Sequence, residues 1–189
     1  MYPGQEIGGG IEGSISYSMD KETQEAVKSL LKSRGVSVVN IGVVVAKDEI
    51  EWRKIFDFAK TMGIEVIVAE PYRKQLNMVE ELAKEYNIKV AIHNHPIPTY
   101  YWNPELVNHL LEGRSKLLGV CADFGHWARS NVDPLEAIKI LEGRIICCHV
   151  KDLNEFGVQE AHEIPWGTGV CNIPGVLTEL KRQGFEGVF

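Results

Sequence analysis

Five apolar stretches of strand length recur along this chain, at residues 36–45, 64–70, 88–95, 117–123 and 144–150, each rich in Val and Ile and none strictly alternating. A strand with apolar side chains on both faces must be covered on both faces, which is the situation of parallel strands flanked by helices. The interval of about 23 to 30 residues leaves room for one helix each time, as in βα units that close into a barrel or wind an open sheet.

The intervals carry helix punctuation. Asp48 with Glu51 makes a capping-box pattern, Trp52, Ile55, Phe56, Ala59 and Met62 form an apolar stripe, and Gly63 ends it. Asn103-Pro104 and Asp133-Pro134 each join an N-cap to a proline at the first helical turn, with Gly113 and Gly143 as the stops. Asp20 to Gly35 bounds an earlier helix, and Asn172 to Gly184 bounds the last. Residues 1–19 are glycine-rich and predict a loop of the kind that follows a barrel strand, whereas residues 185–189 (FEGVF) start like another strand.

With 189 residues, 44% of them hydrophobic and 24% charged, the chain has enough apolar surface for one sizeable core and is expected to be a single domain over residues 1–189. The formal charge of -6 argues against nucleic acid as partner, because phosphate binding needs a basic face. A small polar substrate is expected instead. Cys121, Cys147, Cys148 and Cys171 lack CxxC spacing and read as reduced thiols, which favours a reducing, cytoplasmic setting. No signal peptide and no membrane span is recognisable.

Three of the strands stop at metal-ligand side chains. Residues 90–95 (VAIHNH) close on His93 and His95, 119–126 (GVCADFGH) on Asp123 and His126, and 145–152 (IICCHVKD) on His149, Lys151 and Asp152. Parallel α/β sheets and barrels keep their chemistry at the carboxyl ends of their strands. Imidazole and carboxylate groups gathered at one end suit a borderline divalent cation that leaves positions open for substrate oxygens. Asp123 and His149, on adjacent strands, are the core of this reading, with His93 on the preceding strand.

Other residues admit two readings. His95, on the same face as His93 but next to Pro96, is a substrate contact or a turn residue; His109 reads as an ordinary helical surface histidine. Glu70, closing its strand before Pro71, is a general base, a substrate hydrogen-bond partner or a surface turn carboxylate. Lys151 supplies a positive charge for a substrate oxygen or is an exposed lysine, and His162 lies in a turn-rich loop as a contact or a solvated histidine. Tyr100, Tyr101, Trp102, Trp127 and Trp166 place aromatics in the loops of the same end, to wall a sugar ring or to plug a barrel mouth. The run Gly8-Gly9-Gly10 has no strand-to-helix context and does not read as a phosphate loop.

The segments IHNHP (92–96), ADFGHW (122–127), GRIICCHVKD (143–152) and the tail from residue 164 to 189 resemble the xylose isomerase-like TIM barrels, the sugar phosphate isomerase/epimerase superfamily that also includes endonuclease IV. The resemblance covers residues 35–189 well and the first 34 loosely. It implies a (β/α)8 barrel of which this chain holds only part, since five strands and a stub fall short of eight, and predicts a gene product extending beyond both ends. It implies that Asp123 and His149 match the family's Asp and His metal ligands, and that His93 stands where many relatives carry a ligand Glu. His126 then resembles a substrate-contacting histidine, and Lys151 lies near a basic substrate contact. The expected cofactor is a divalent ion, Mn2+ or Zn2+, with Mg2+ or Co2+ as alternatives.

The activity so implied is isomerisation or epimerisation of a sugar or sugar phosphate. A proton would move next to a carbonyl through a metal-stabilised enediolate, with Glu70 as candidate base and His126 positioning oxygen or relaying the proton. His93 removes one of the two glutamates that relatives use as a pair, and the other would follow Phe189, so the chain as given is expected to be inactive. The alternatives are a metal-dependent hydrolase or lyase, endonuclease IV-like or a sugar-acid dehydratase, and a sugar-binding barrel without turnover. Family barrels are often dimers or tetramers, so a homo-oligomer is the expected assembly.

Overall fold

The computed structural model describes residues 1–189, whose contacts group into two units, Met1–Val90 and Ala91–Phe189. The boundary falls inside one strand, β5 (Lys89–His93).

In the first unit, β1 (Glu6–Gly8) and β2 (Ile11–Ser14) form an antiparallel ribbon where the glycine content predicts a loop. Its turn runs through Gly8, Gly9 and Gly10, all at positive φ, and a side chain on Gly9 would collide with Leu30 of α1 (Lys21–Ser33). The glycine run therefore shapes a turn. Asp20 caps α1 by accepting from the Thr23 amide at 2.7 Å. Helix α2 (Glu49–Met62) starts where Asp48 accepts from the Glu51 amide at 3.0 Å and stops at Gly63 in the left-handed region. Its stripe buries Trp52, Ile55, Phe56, Ala59 and Met62, and adds Phe58. Glu51 departs from a strict capping box, because its carboxylate accepts from the Lys47 amide, one residue ahead of the cap.

Strand β3 (Asn40–Val44) pairs in parallel with β4 (Val66–Ala69), and all four β4 residues are buried. Only the second half of the apolar run 36–45 enters the sheet; Val36 and Val39 stay exposed. Helix α3 (Leu76–Tyr86), reached through a short 3-10 turn and ended by Asn87 at positive φ, carries no capping signature in the sequence.

In the second unit, β5 is followed by α4 (Pro104–Leu111), β6 (Leu118–Asp123), α5 (Phe124–Arg129), α6 (Pro134–Ile140) and β7 (Ile145–His149). Strands β6 and β7 are parallel, with Asp123 opposite His149. After β7 come the short antiparallel pair β8 (Asp152–Leu153) and β9 (Glu163–Ile164) and then α7 (Ile173–Arg182). The segment 185–189 lies along β7, where the Cys148 amide donates to the Val188 carbonyl at 2.9 Å. Asn103 and Asp133 cap α4 and α6 as their Asn-Pro and Asp-Pro patterns predict. The chain is α/β, with five strands of the parallel type against the eight of a closed barrel. No helix is long and apolar enough to cross a membrane.

One arginine ties the entry of β7 to the end of α4. The guanidinium of Arg144 donates to the carbonyls of Leu111, Arg114, Ser115 and Leu118 at 2.5–3.3 Å. The Leu111 carbonyl is one that the helix end leaves without an intrahelical donor, where a cation is also favoured by the helix dipole. Arg144→Ala is expected to destabilise the protein by about 2–3 kcal/mol, read as a shift in the urea unfolding midpoint.

Candidate metal centre

The carboxyl ends of β5, β6 and β7 deliver His93, Asp123 and His149, and the parallel register sets Asp123 and His149 side by side. Between β5 and β6 the ends are locked by an amide that sequence reasoning passes over. Asn94 accepts from the Asp123 amide at 2.8 Å and donates to the Asp123 carbonyl at 2.9 Å. The available signal is a polar residue wedged between two histidines at the end of an apolar strand.

Asp123 is wholly buried and uses its two oxygens differently. Oδ1 accepts from the His126 amide at 2.9 Å and caps α5, so the strand passes into the helix without a loop. Around Oδ2 stand Lys151 Nζ at 2.8 Å, His126 Nε2 at 3.5 Å, His93 Nε2 at 3.6 Å and His149 Nδ1 at 3.7 Å. Burial by itself raises the pKa of this carboxyl. The imidazoles of His149 and His93, with lesser help from His126 and the Lys151 ammonium, outweigh it and hold the group well below the ordinary range.

His126 is pushed down to about 4, chiefly by burial and against the pull of Asp123, so it is neutral at neutral pH. Arg129, whose guanidinium also donates to the Ala161 carbonyl, reaches His126 Nδ1 at 3.3 Å. His126 Nε2 stands 3.3 Å from a second donor-only cation, the Lys151 ammonium, so the ring lies between two positive groups. His93 Nε2 and His149 Nδ1 are 3.0 Å apart, one donating to the other. The His95 ring packs edge-on against His93 at 4.5 Å and lies 5.1 Å from His126.

The donor chemistry fits a divalent ion. Two imidazole nitrogens and a carboxylate oxygen stand 3.0–3.7 Å from one another. Ligands at about 2.0–2.2 Å from a common ion are separated by roughly 3.0–3.6 Å. Cys121, two residues before Asp123 on β6, brings a sulfur within 4.8 Å of ligand nitrogens of His93 and His149. Its hydrogen bond with Cys147 and its burial push the thiol well above its ordinary pKa, which keeps it protonated. All four cysteines are unbridged and buried.

The remaining expected residues divide. Trp127 is not a loop aromatic: it belongs to α5, is 1% exposed and stacks on Phe124, so it is core and cannot wall a ligand. Tyr101 is likewise buried, whereas Tyr100 and Trp166 are exposed. His162 is exposed, its amide bound to Asn154, and His109 is an exposed helical residue beside Glu112. Glu70, in the first unit, is half-buried just past β4, its amide donating to the Val44 carbonyl at 3.0 Å.

Lys151 is followed by a second buried carboxylate. Asp152 accepts from the amides of Leu153, Gly167, Gly169 and Cys171 at 2.8–3.1 Å, and Gly169 has no room for a side chain against it. This clamp closes the Trp166 loop onto β8.

A family model described as the xylose isomerase-like TIM barrel matches residues 5–189. The chain belongs to that family. A solved structure of an uncharacterized protein from Parabacteroides distasonis is 38% identical, with a TM-score of 0.77 over 99% of this chain and 75% of that one. An inosose dehydratase from Clostridium tetani is 35% identical over 130 residues, 60% of this chain and 43% of its own length. A D-tagatose 3-epimerase-like protein shares the fold at 22% identity, with a TM-score of 0.74 over 89% of this chain and 75% of that one. The chain spans 39–43% of the length of the curated relatives it matches.

Burial raises the pKa of Asp152, but the amides of Cys171, Gly169, Gly167 and Leu153 outweigh it and leave the carboxyl below its ordinary value. Its contribution is therefore complete above the unfolded pKa of about 4 and is lost as pH falls from there through the depressed folded value. Asp152→Asn, which turns an NH2 group toward amide donors, should destabilise by about 2–4 kcal/mol at neutral pH. In urea unfolding across a pH series, the gap between wild type and variant should narrow below about pH 4.

Proposed function

We propose that this chain carries the metal centre of a sugar isomerase or epimerase, holding a divalent ion through His93, Asp123 and His149 and moving a proton next to a carbonyl. The observation that carries the reading is the convergence of those three donors at 3.0–3.7 Å from one another. The mixed nitrogen and oxygen set suits Zn2+ or Mn2+, with Mg2+ or Co2+ as weaker fits. When bound, the ion supplies a Lewis acid for the negative charge that grows on a substrate's carbonyl oxygen.

The protein's own groups do the rest. His126, neutral and set between the Arg129 guanidinium and the Lys151 ammonium, is the candidate for positioning a substrate oxygen or relaying the proton. The Lys151 ammonium adds positive charge for a hydroxyl or phosphate oxygen. His95 and the exposed Trp166 and His162 are the further candidate contacts for the sugar, and Glu70 is the candidate base.

A second reading is favoured by the similarity to an inosose dehydratase. Removal of a proton beside a carbonyl also opens the way to loss of a β-hydroxyl as water, so a dehydratase shares the first step. Endonuclease IV-like hydrolysis is disfavoured by the net charge of -6. The partner is a small sugar, sugar phosphate or cyclic polyol ketone, the working form a homo-oligomer, and the setting the cytoplasm.

Elemental analysis of the purified protein should find about one divalent ion per chain, lost in Asp123→Asn and His149→Ala. In D2O, a full-length version with its metal present should place deuterium beside the carbonyl of a ketose or inosose. Glu70→Gln should suppress that exchange by about 100-fold or more. Exchange with retention of all hydroxyls marks an isomerase or epimerase, and loss of water marks a dehydratase. Absence of both bound metal and exchange would sink the proposal, and metal or ketose binding without exchange would make the chain a binder.

A further inference from the structure

The shortest contact to Asp123 Oδ2 comes from the Lys151 ammonium, at 2.8 Å, inside the three imidazole nitrogens at 3.5–3.7 Å. The two partners of this ion pair differ in their access to water. Asp123 has no exposed side-chain surface, and Lys151 keeps 24% of its own. The carboxylate cannot leave, because Oδ1 caps α5 and Asn94 locks its backbone from both sides. The ammonium has a way out.

A neighbouring glycine leaves room for the lysine's path. A Cβ at Gly125 would stand 2.8 Å from the Lys151 Cβ and 3.1 Å from its Cδ, so the stem crosses a face that any other residue would crowd. The tip ends 3.3 Å from His126 Nε2 as well as against Asp123. That oxygen is the one anionic donor among the ligands assigned above, and an ammonium and a divalent cation cannot both sit against it, because like charges at such separation repel strongly.

Building on the metal-dependent reading, we propose that Lys151 is a tethered cation that balances Asp123 in the metal-free protein and is displaced toward solvent when a divalent ion takes its place, so that this lysine sets the metal affinity of the centre. A lysine is suited to such an exchange because its charge is a compact point on a flexible four-carbon stem, whereas a guanidinium would grip the carboxylate with two parallel bonds. In the metal-free protein the pair spares the fold an uncompensated buried charge. On metal binding, the same ammonium is released at the rim.

The experiment is a calorimetric titration of chelator-stripped protein with ZnCl2, in wild type and in Lys151→Met, paired with urea unfolding of each with and without zinc. The expected result is that the variant binds Zn2+ about tenfold tighter or more, the scale of removing one competing ion pair. The metal-free variant should unfold at lower urea than wild type, and saturating zinc should close that gap. A lysine that only stabilised the fold would lower the midpoint and leave zinc affinity unchanged or weaker, which overturns the proposal while the metal reading stands. Zinc binding to neither protein overturns the metal reading, and this inference with it. Should Lys151→Met fail to fold when metal-free, refolding in ZnCl2 decides: recovery of folded protein supports the exchange of cations, and no recovery overturns it.

Discussion

Everything at the strand ends is arranged around the cost of keeping a carboxylate out of water. An ionised Asp123 with no exposed surface is tolerable only where donors and positive charge replace its hydration. One oxygen is satisfied by the first turn of α5, the other makes no hydrogen bond and is faced by an ammonium and a ring of imidazoles, and the backbone on either side is held by the Asn94 amide. The requirement dictates that β6 run straight into a helix, that β5 carry a polar residue between two histidines, and that β7 be followed by a lysine on the same side as His149.

The chemistry such a centre supports follows from its charge. With two imidazoles and one carboxylate, the proposed ligand set has a single anion. A divalent ion held there would retain more of its positive charge for a substrate oxygen than one surrounded by several carboxylates. Neutral His126 and the cation of Lys151 reinforce that bias. The same poverty of anions weakens the grip on the ion, which makes competition from a nearby ammonium consequential.

Much of this is legible in the amino-acid order, and the exceptions have physical reasons. The caps at Asp20, Asp48, Asn103 and Asp133 stand where side-chain oxygens meet orphan amides, because that interaction is local. The strand ends at His93, Asp123 and His149 are readable because a Val- and Ile-rich run that stops on a polar residue is a short-range pattern. Helix α5 is hidden, since Asp123 serves at once as last strand residue and as N-cap, and its Trp127 reads as a loop aromatic although it fills the core beneath. The β1–β2 ribbon is masked by glycines that look like loop, and Arg144 gives no sign because its carbonyl partners are 26 to 33 residues away.

Asp152 has a bearing on its neighbour beyond holding the Trp166 loop. Four amides pin its carboxylate, so the peptide carrying Lys151 is anchored on its carboxyl side and cannot drift with the loop. Any excursion of the lysine comes from rotation about its own single bonds, once its ion pair with Asp123 opens. The centre would thus exchange its two occupants through one side chain's rotation, with the backbone that carries it held in place.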